Sequence, residues 1–479
     1  ELARNRMREF WVEVSRVGPK KSVLAPVIDG ATTQQDISEL FVCKYDRLFN
    51  SVQSSDDDLH SLTDEIDASL AAVHMVPDAV VELEELNQAI RKLKKQKHDG
   101  NRSFWSNFII WLPRTARKYL SMLLSAMLSH GHTPACINIG TIISIPKDSS
   151  GDICSSDNYR GIALSSSISK LMEVILIAKS GTSISSSNLQ FAYKAKHGTS
   201  MCTLLLKETA NYFINQDGGV YCALVDASKA FDRLRHDKLF GILMQRGVPA
   251  VIIRYLIDNY RRQKMQVKWG NVVSRAFGVT NGVKQGGILS PILFNVYMDT
   301  LLERLQNHGV GCHLGDAYVG ALAYADDLTL LSPSLNGLQS MLKLCEEFGN
   351  EYAVTFNPVK TQCIRFCRER DPGSYEIYLD GKKLKWVKEV KHLGHIISFN
   401  LSESSESKRK IGDFIYHVNA LRANFKGVSF DILLHLFNAH CTSFYGSQSW
   451  DLNQPCFQSI YTKFNRGVRI LFNLPFRTH

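Results

Sequence analysis

Residues 321–331 read Ala321-Leu-Ala-Tyr-Ala-Asp-Asp-Leu-Thr-Leu-Leu331, two short apolar runs parted by Asp326 and Asp327. Runs of this length are strands, and the polar break between them is the tip of a tight hairpin. Two carboxylates held side by side repel one another, and a divalent cation between them removes the repulsion. Magnesium suits such a site, because it takes hard oxygen ligands and binds through one or two carboxylates together with substrate phosphates. Asp is also a common turn residue, so the pair alone equally describes a solvated turn.

A third carboxylate tips the reading. The run Val220-Tyr-Cys-Ala-Leu-Val225 ends in Asp226 and leads into Ala227-Ser-Lys-Ala-Phe231-Asp232. A strand followed by a turn and a helix presents its last residue at the edge of a sheet where ligands bind. Laid beside the hairpin, Asp226 completes a set of three carboxylates able to hold two metal ions. Two ions roughly 3.5 to 4 Å apart activate an attacking hydroxyl and stabilise a leaving phosphate in one in-line displacement. The chemistry indicated is phosphoryl transfer.

Asp226 with Ala230-Phe231-Asp232, the Tyr324-Ala-Asp-Asp327 hairpin and the intervening Asn281-Gly-Val-Lys-Gln-Gly-Gly-Ile-Leu-Ser-Pro291 resemble motifs A, C and B of reverse transcriptases, in particular those of non-LTR (LINE-type) retrotransposons. Ile145-Pro-Lys147 and Asn158-Tyr-Arg160-Gly-Ile162 resemble finger motifs, Asn357-Pro-Val-Lys360-Thr361 motif D, and His392-Leu-Gly394 motif E. The resemblance implies an α+β right-hand polymerase fold with fingers, a palm on an antiparallel sheet and a helical thumb. It divides the chain into a helical N-terminal extension (1–98), fingers and palm (99–397) and thumb (398–479). The implied activity is that of an RNA-directed DNA polymerase extending a primer 3′-hydroxyl with dNTPs. Asp226, Asp326 and Asp327 then hold two Mg2+ ions, with Mn2+ as a substitute. The implied partners are an RNA template, a DNA primer or target DNA and dNTPs, with no membrane. The protein is expected inside the cell, translated in the cytoplasm and acting in the nucleus. Priming from nicked chromosomal DNA also follows from the resemblance alone.

Individual residues take roles by the same resemblance. Lys147 and Arg160 match positions that grip a triphosphate, whose spread charge calls for cationic donors, and Arg binds two oxygens at once. Gly161 follows Arg160 where many relatives have proline, which leaves the loop freer and keeps the charge. Ala227 adjoins Asp226 at the nucleotide. Phe231 matches the aromatic that crowds a ribose 2′-hydroxyl and so favours deoxynucleotides; on its own it is a core aromatic at a helix start. Asp232 is read as the N-cap of a helix Arg233–Arg246 ended by Gly247. Gln285 and Gly286 match residues that contact the incoming nucleotide, the double glycine allowing close backbone approach, and Ser290-Pro291 opens a helix. Lys360 matches a residue that protonates departing pyrophosphate when within hydrogen-bond reach. It is also simply a strand lysine whose stem lies along apolar surface.

Two basic regions complete the reading. Tyr260-Arg-Arg-Gln-Lys264 and Met265–Trp269, turning at Gly270-Asn271 into Val272–Arg275, form a cationic hairpin with an exposed aromatic, suited to phosphates and stacking or to a plain charged face. Beyond Lys391–Ile396, which resembles a primer grip, the chain is helical and basic through Lys408-Arg-Lys410, Lys463, Arg466, Arg469 and Arg477. Before residue 98, Ile37, Leu40, Phe41, Leu48 and Phe49 recur at helical spacing behind an Asp36/Glu39 capping box. Ser54–Asp58 reads as a linker, and Val80–Lys97 as a helix whose cationic end complements the helix dipole or touches nucleic acid.

Lys and Arg outnumber Asp and Glu by 56 to 46, a net +10, which favours a polyanionic partner over an acidic surface. With 479 residues, 44% of them hydrophobic, two or three subdomains are expected. The eleven cysteines show no regular framework and are expected as reduced, mostly buried thiols. No stretch is long and apolar enough to span a bilayer, so a soluble protein is expected. Glu1–Arg8 has no signal-peptide core and no initiator methionine, so a segment of a longer product is expected. Two other functions share these features, an RNA-dependent RNA polymerase, which Phe231 disfavours, and a decayed element that only binds RNA.

Overall fold

The computed structural model describes residues 7–17, 24–52, 55–72, 76–97, 105–148, 150–368, 375–475 and 477. It is a mixed α and β structure with two main sheets. In the first, β1 (Ile139–Pro146) pairs antiparallel with β2 (Tyr159–Leu164) and parallel with β4 (Lys264–Trp269). In the second, β3 (Val220–Ser228) is central, antiparallel both to Asp327–Ser332 and to Gln362–Phe366. Ala321–Tyr324 forms the outer strand beside Asp327–Ser332.

The second sheet is apolar on both faces. Ala223, Val225, Leu328 and Leu330 join the main core, with helices Ser290–His308 and Leu335–Tyr352. Val220, Cys222, Leu331, Ile364 and Phe366 pack on the opposite side with helix Thr199–Asn215. Helices over both faces explain why these strands read as nearly unbroken apolar runs, without polar alternation. Seven of the eleven cysteines are buried.

The N-terminal helices are distributed over the molecule. α1 (Met7–Val17) sets Phe10 against Phe414, Leu436, Phe437 and Leu471 of the C-terminal helices. α2 (Gln34–Phe49) lays Ile37, Phe41, Val42, Tyr45 and Phe49 on the first sheet, against Tyr159, Met265, Val267 and Trp269. α3 (Asp56–Ala71) and α4 (Leu83–Lys92) contribute Leu59, Ile66, Leu86 and Ile90 to the main core.

Several local expectations are corrected. The α2 cap is Thr33 with Asp36: the Thr33 hydroxyl accepts from the Asp36 amide at 3.1 Å and donates to its carboxylate at 2.7 Å. Glu39 instead pairs with Arg275 at 2.9 Å. Within the expected linker, Ser55 caps α3, so that stretch opens a helix; residues 53 and 54 lie outside the described residues. The helix expected over Val80–Lys97 is only Leu83–Lys92, because the chain beyond it turns to meet Ser106 and Asn107. The hairpin from Lys264 to Val273 forms, but Trp269 is 2% and Tyr260 5% exposed, so neither offers a free ring. α2 covers Trp269, which meets Phe41 and Tyr159 edge-on or tilted.

Among the described residues, no helix is long and apolar enough to cross a membrane.

Candidate active site

The hairpin forms as read. Tyr324 pairs with Asp327, leaving Ala325 and Asp326 as the turn, with Ala325 at φ 57° in the left-handed region. Asp327 starts its strand directly opposite Asp226 of β3. All three predicted carboxylates therefore share one end of one sheet. β3 runs two residues beyond Asp226, because Ser228 and Ala227 pair with Thr355 and Phe356. Asp226 is thus fixed inside a ladder: its amide donates to Thr361 Oγ1 at 3.3 Å, and its carbonyl accepts from Asn357 at 2.8 Å.

The electrostatics express this crowding. Burial raises the Asp326 carboxyl above its ordinary range, the charge on Asp226 adds to the rise, and Arg160 opposes it. Asp327 is pushed up to about 6, first by the surrounding protein atoms and then by Asp326 and Asp226, although part of its side chain reaches solvent. A site that resists its own negative charge attracts cations. Lys360 Nζ lies 3.8 Å from Asp226 Oδ2, on an exposed turn, with its backbone amide bonded to Asn357 at 3.3 Å. It is a turn lysine, not one laid along a strand. Among the described residues, no three His, Cys, Asp or Glu side chains form a ready-made metal cage.

A cationic cluster lies near the site, and Arg160 of that cluster acts on Asp326. Lys147 Nζ donates to the Asp157 carbonyl at 2.8 Å. Its ammonium is held below the usual lysine range, first by burial and then by neighbouring Lys44, Arg160 and Lys229. Lys44 itself bonds Asp157 at 2.7 Å. Lys229, at φ 53°, turns the chain between β3 and the short helix Ala230–Arg233. Lys44 joins Lys147 and Arg160 only through folding, whereas Lys229 lies within the stretch Ala227–Asp232 that follows Asp226.

Asp232 is not an N-cap. The helix expected over Arg233–Arg246 is only His236–Gln245, set apart from a short first piece Ala230–Arg233, since Gly282 donates to the Leu234 carbonyl at 2.7 Å and Val283 to that of Phe231 at 2.8 Å. Buried within the first piece, Asp232 accepts from Gln285 Nε2 at 2.6 Å. Its pKa rises to about 6 through burial, opposed by the Gln285 bond and by Lys229, Arg160 and Lys147.

The glycine loop docks on the first sheet. Ala163 donates to the Gln285 carbonyl at 2.7 Å, and a Cβ on Gly286, at φ 119°, would lie 2.6 Å from the Ala163 carbonyl oxygen. Close backbone approach is real here, and its partner is a strand. Ser290–His308 opens with Pro291 in its first turn.

Phe231 is half-buried and stacks on Phe294, with Tyr193 edge-on at 6.5 Å between ring centroids. Tyr193 was not foreseen. It lies at φ 58°, is 58% exposed, and burial of its hydroxyl together with Asp326 raises its pKa. Gln190, also unforeseen, is wholly buried against the carboxylate turn. Of the grip motif, His392 is buried between Thr203 and Thr329 at 3.2 Å each, and burial lowers it to about 4. It braces the strand of Asp327 from within.

Comparison with known proteins finds one matching family and several curated relatives. The family described as reverse transcriptase (RNA-dependent DNA polymerase) matches residues 145–397, more than half of the chain. The chain is 30% identical over 256 residues to the Drosophila melanogaster Pol polyprotein of type-2 retrotransposable element R2DM, covering 52% of this chain and 24% of that protein. It is 24% identical over 425 residues to the RNA-directed DNA polymerase from mobile element jockey of Drosophila funebris, covering 85% and 44%. With the probable RNA-directed DNA polymerase from transposon BS of Drosophila melanogaster it shares 26% over 423 residues, covering 84% and 46%. The chain thus spans less than half the length of these curated relatives.

Proposed function

From a chain that belongs to the reverse transcriptase family, on its non-LTR retrotransposon branch, we propose an RNA-directed DNA polymerase that extends a primer 3′-hydroxyl with dNTPs on an RNA template. The observation that carries this is the register pairing of Asp226 with Asp327, beside Asp326 and within electrostatic reach of Arg160. In this reading residues 99–397 serve as fingers and palm, 398–479 as a helical thumb, and 1–98 as an N-terminal extension.

Asp226, Asp326 and Asp327 would hold the two magnesium ions through hard carboxylate oxygens, the crowding of their charges favouring a cation there. Bound magnesium supplies a lowered pKa at the primer hydroxyl and neutralises charge on the transferred phosphate. Lys147 and Arg160 hold the triphosphate through charge-assisted hydrogen bonds. Ala227, small and buried against Phe356, leaves room beside Asp226 for the nucleotide. Gln285 and Gly286, tied to Asp232 and to β2, line the same space, and Phe231 rejects a 2′-hydroxyl. Lys360, beside Asp226, delivers the proton to departing pyrophosphate. The DNA primer or target strand and the RNA meet the basic C-terminal helices through phosphates, and the work takes place in the nucleus.

The test is primer extension on an RNA template with magnesium. Wild type extends with dNTPs and not with NTPs, which separates it from an RNA polymerase and from a remnant that only binds RNA. Asp226→Ala and Asp326→Asn abolish extension and keep template binding. Near-normal extension by either variant overturns the proposal.

A further inference from the structure

The strand Ala321–Tyr324 is the outermost of its sheet, so the turn that follows it has no strand to lean on from that side. The segment Leu189–Phe191 takes that place. Phe191 donates to the Ala323 carbonyl and Ala323 to that of Leu189, both at 2.8 Å. Two residues further on, at Ala325, the backbone pairing has stopped and a side chain continues it. Gln190 Oε1 accepts from the Ala325 amide at 2.8 Å, and its Nε2 donates to the Ala325 carbonyl at 3.3 Å. The side-chain amide thus acts as one more peptide of the ladder. Oε1 also accepts from Ala192 at 3.1 Å, which fixes the orientation of the amide.

This contact has no substitute in solvent. Gln190 is 0% and Ala325 6% exposed, so without Gln190 both backbone groups of Ala325 face burial unpaired. Ala325 is also the left-handed residue of the turn, a conformation that an L side chain leaves when unsupported. Asp326 is its covalent neighbour, and Asp326, Asp327 and Asp226 repel one another through space. A single neutral side chain therefore supports the turn that carries Asp326 and leads into Asp327.

We infer that Gln190 is the positioning residue of the catalytic turn: it fixes the Ala325 peptide so that Asp326 and Asp327 present their oxygens together to a divalent cation. The inference rests on the polymerase reading for its effect on rate, but not for its effect on metal binding.

The experiment compares wild type, Gln190→Met, which fills the same space without either hydrogen bond, and Gln190→Asn, which keeps the amide one methylene short. Mn2+ binding to the free protein is followed by electron paramagnetic resonance, and primer extension is measured in parallel. Both variants are expected to bind Mn2+ about 10-fold more weakly, as when an oriented ligand loses its support. Extension at saturating dNTP is expected to fall about 100-fold, with dNTP KM within about twofold and the melting temperature lowered by a few degrees, as two buried groups left unpaired require. Hydrogen exchange at the 321–331 peptide rises in both variants and stays at wild-type values elsewhere. If Gln190→Met fails to fold, Gln190→Asn carries the comparison, and exchange outside 321–331 reports which has happened. Mn2+ affinity and extension within twofold of wild type in a folded variant overturn the inference. If wild type extends no primer while both variants still lose Mn2+ affinity, the polymerase reading falls and the positioning role stands.

Discussion

Phe231 lies flat against Phe294, their ring centroids 3.9 Å apart and their planes 14° from parallel. One face of Phe231 is thereby committed to the core, and Phe294 is itself fully buried in helix Ser290–His308. A ring backed in this way cannot swing aside for a bulkier sugar. Phe231→Val should raise NTP incorporation relative to dNTP by about 10- to 200-fold, the range one steric contact commands. Phe294→Leu, which leaves Phe231 in place but loosens its backing, should give a smaller rise. Competition between a dNTP and its NTP on one primed RNA measures both, and unchanged discrimination in Phe231→Val removes the gate.

The raised Asp327 carboxyl makes a signed prediction about stability. Its folded pKa of about 6 lies above the unfolded value near 3.9, so the folded state binds the proton more tightly. Its charge costs nothing below about pH 4, and the cost grows as pH rises, reaching its full value above about 6. Asp327→Asn should therefore melt above wild type at pH 7 to 8 without metal, by ~1 to 3 °C, with the gap closing towards pH 4. Thermal denaturation in chelator across this range measures it, and a gap that widens on acidification contradicts the assignment.

Lys360 stands within ion-pair distance of Asp226 on a turn anchored by Asn357. If it delivers the leaving-group proton, Lys360→Ala should slow single-nucleotide addition about 100-fold, with dNTP KM little changed. Lys360→Arg should slow it as well, because arginine keeps the charge but does not release its proton. Pre-steady-state kinetics distinguish this from a binding role, in which KM rises and the arginine variant recovers.

Trp269 belongs to the core under α2, not to an exposed nucleic-acid surface. Trp269→Ala should cost about 3 to 5 kcal/mol of stability. Chemical denaturation measures that loss, and at temperatures where the variant is folded its template affinity should match wild type. A stable variant with weakened RNA binding would restore the surface role.

The hairpin, its carboxylates and their partnership with Asp226 were legible because each depends on a few neighbouring residues and on one register rule. Arg160, Gln285 and Lys360 were legible as motif members, though not in their contacts. What escaped depends on partners distant in the chain. The burial of Trp269 follows from α2, more than 200 residues earlier. Asp232 was misread because the helix after it is broken by hydrogen bonds from Gly282 and Val283, which no local propensity announces. Gln190 sits in an irregular segment, 135 positions from the peptide it supports, and has no periodic signal.

The two sheets are laced through one another. The chain leaves the first after β2, builds β3 in the second, returns to add β4 beside β1, and only then supplies the carboxylate hairpin. Neither sheet can be excised as a continuous fragment without severing the other. Any movement of β1 and β2, the latter carrying Arg160, relative to the carboxylates is constrained by these covalent crossings. They limit how far the two halves part, like stitches that let a seam flex but not open.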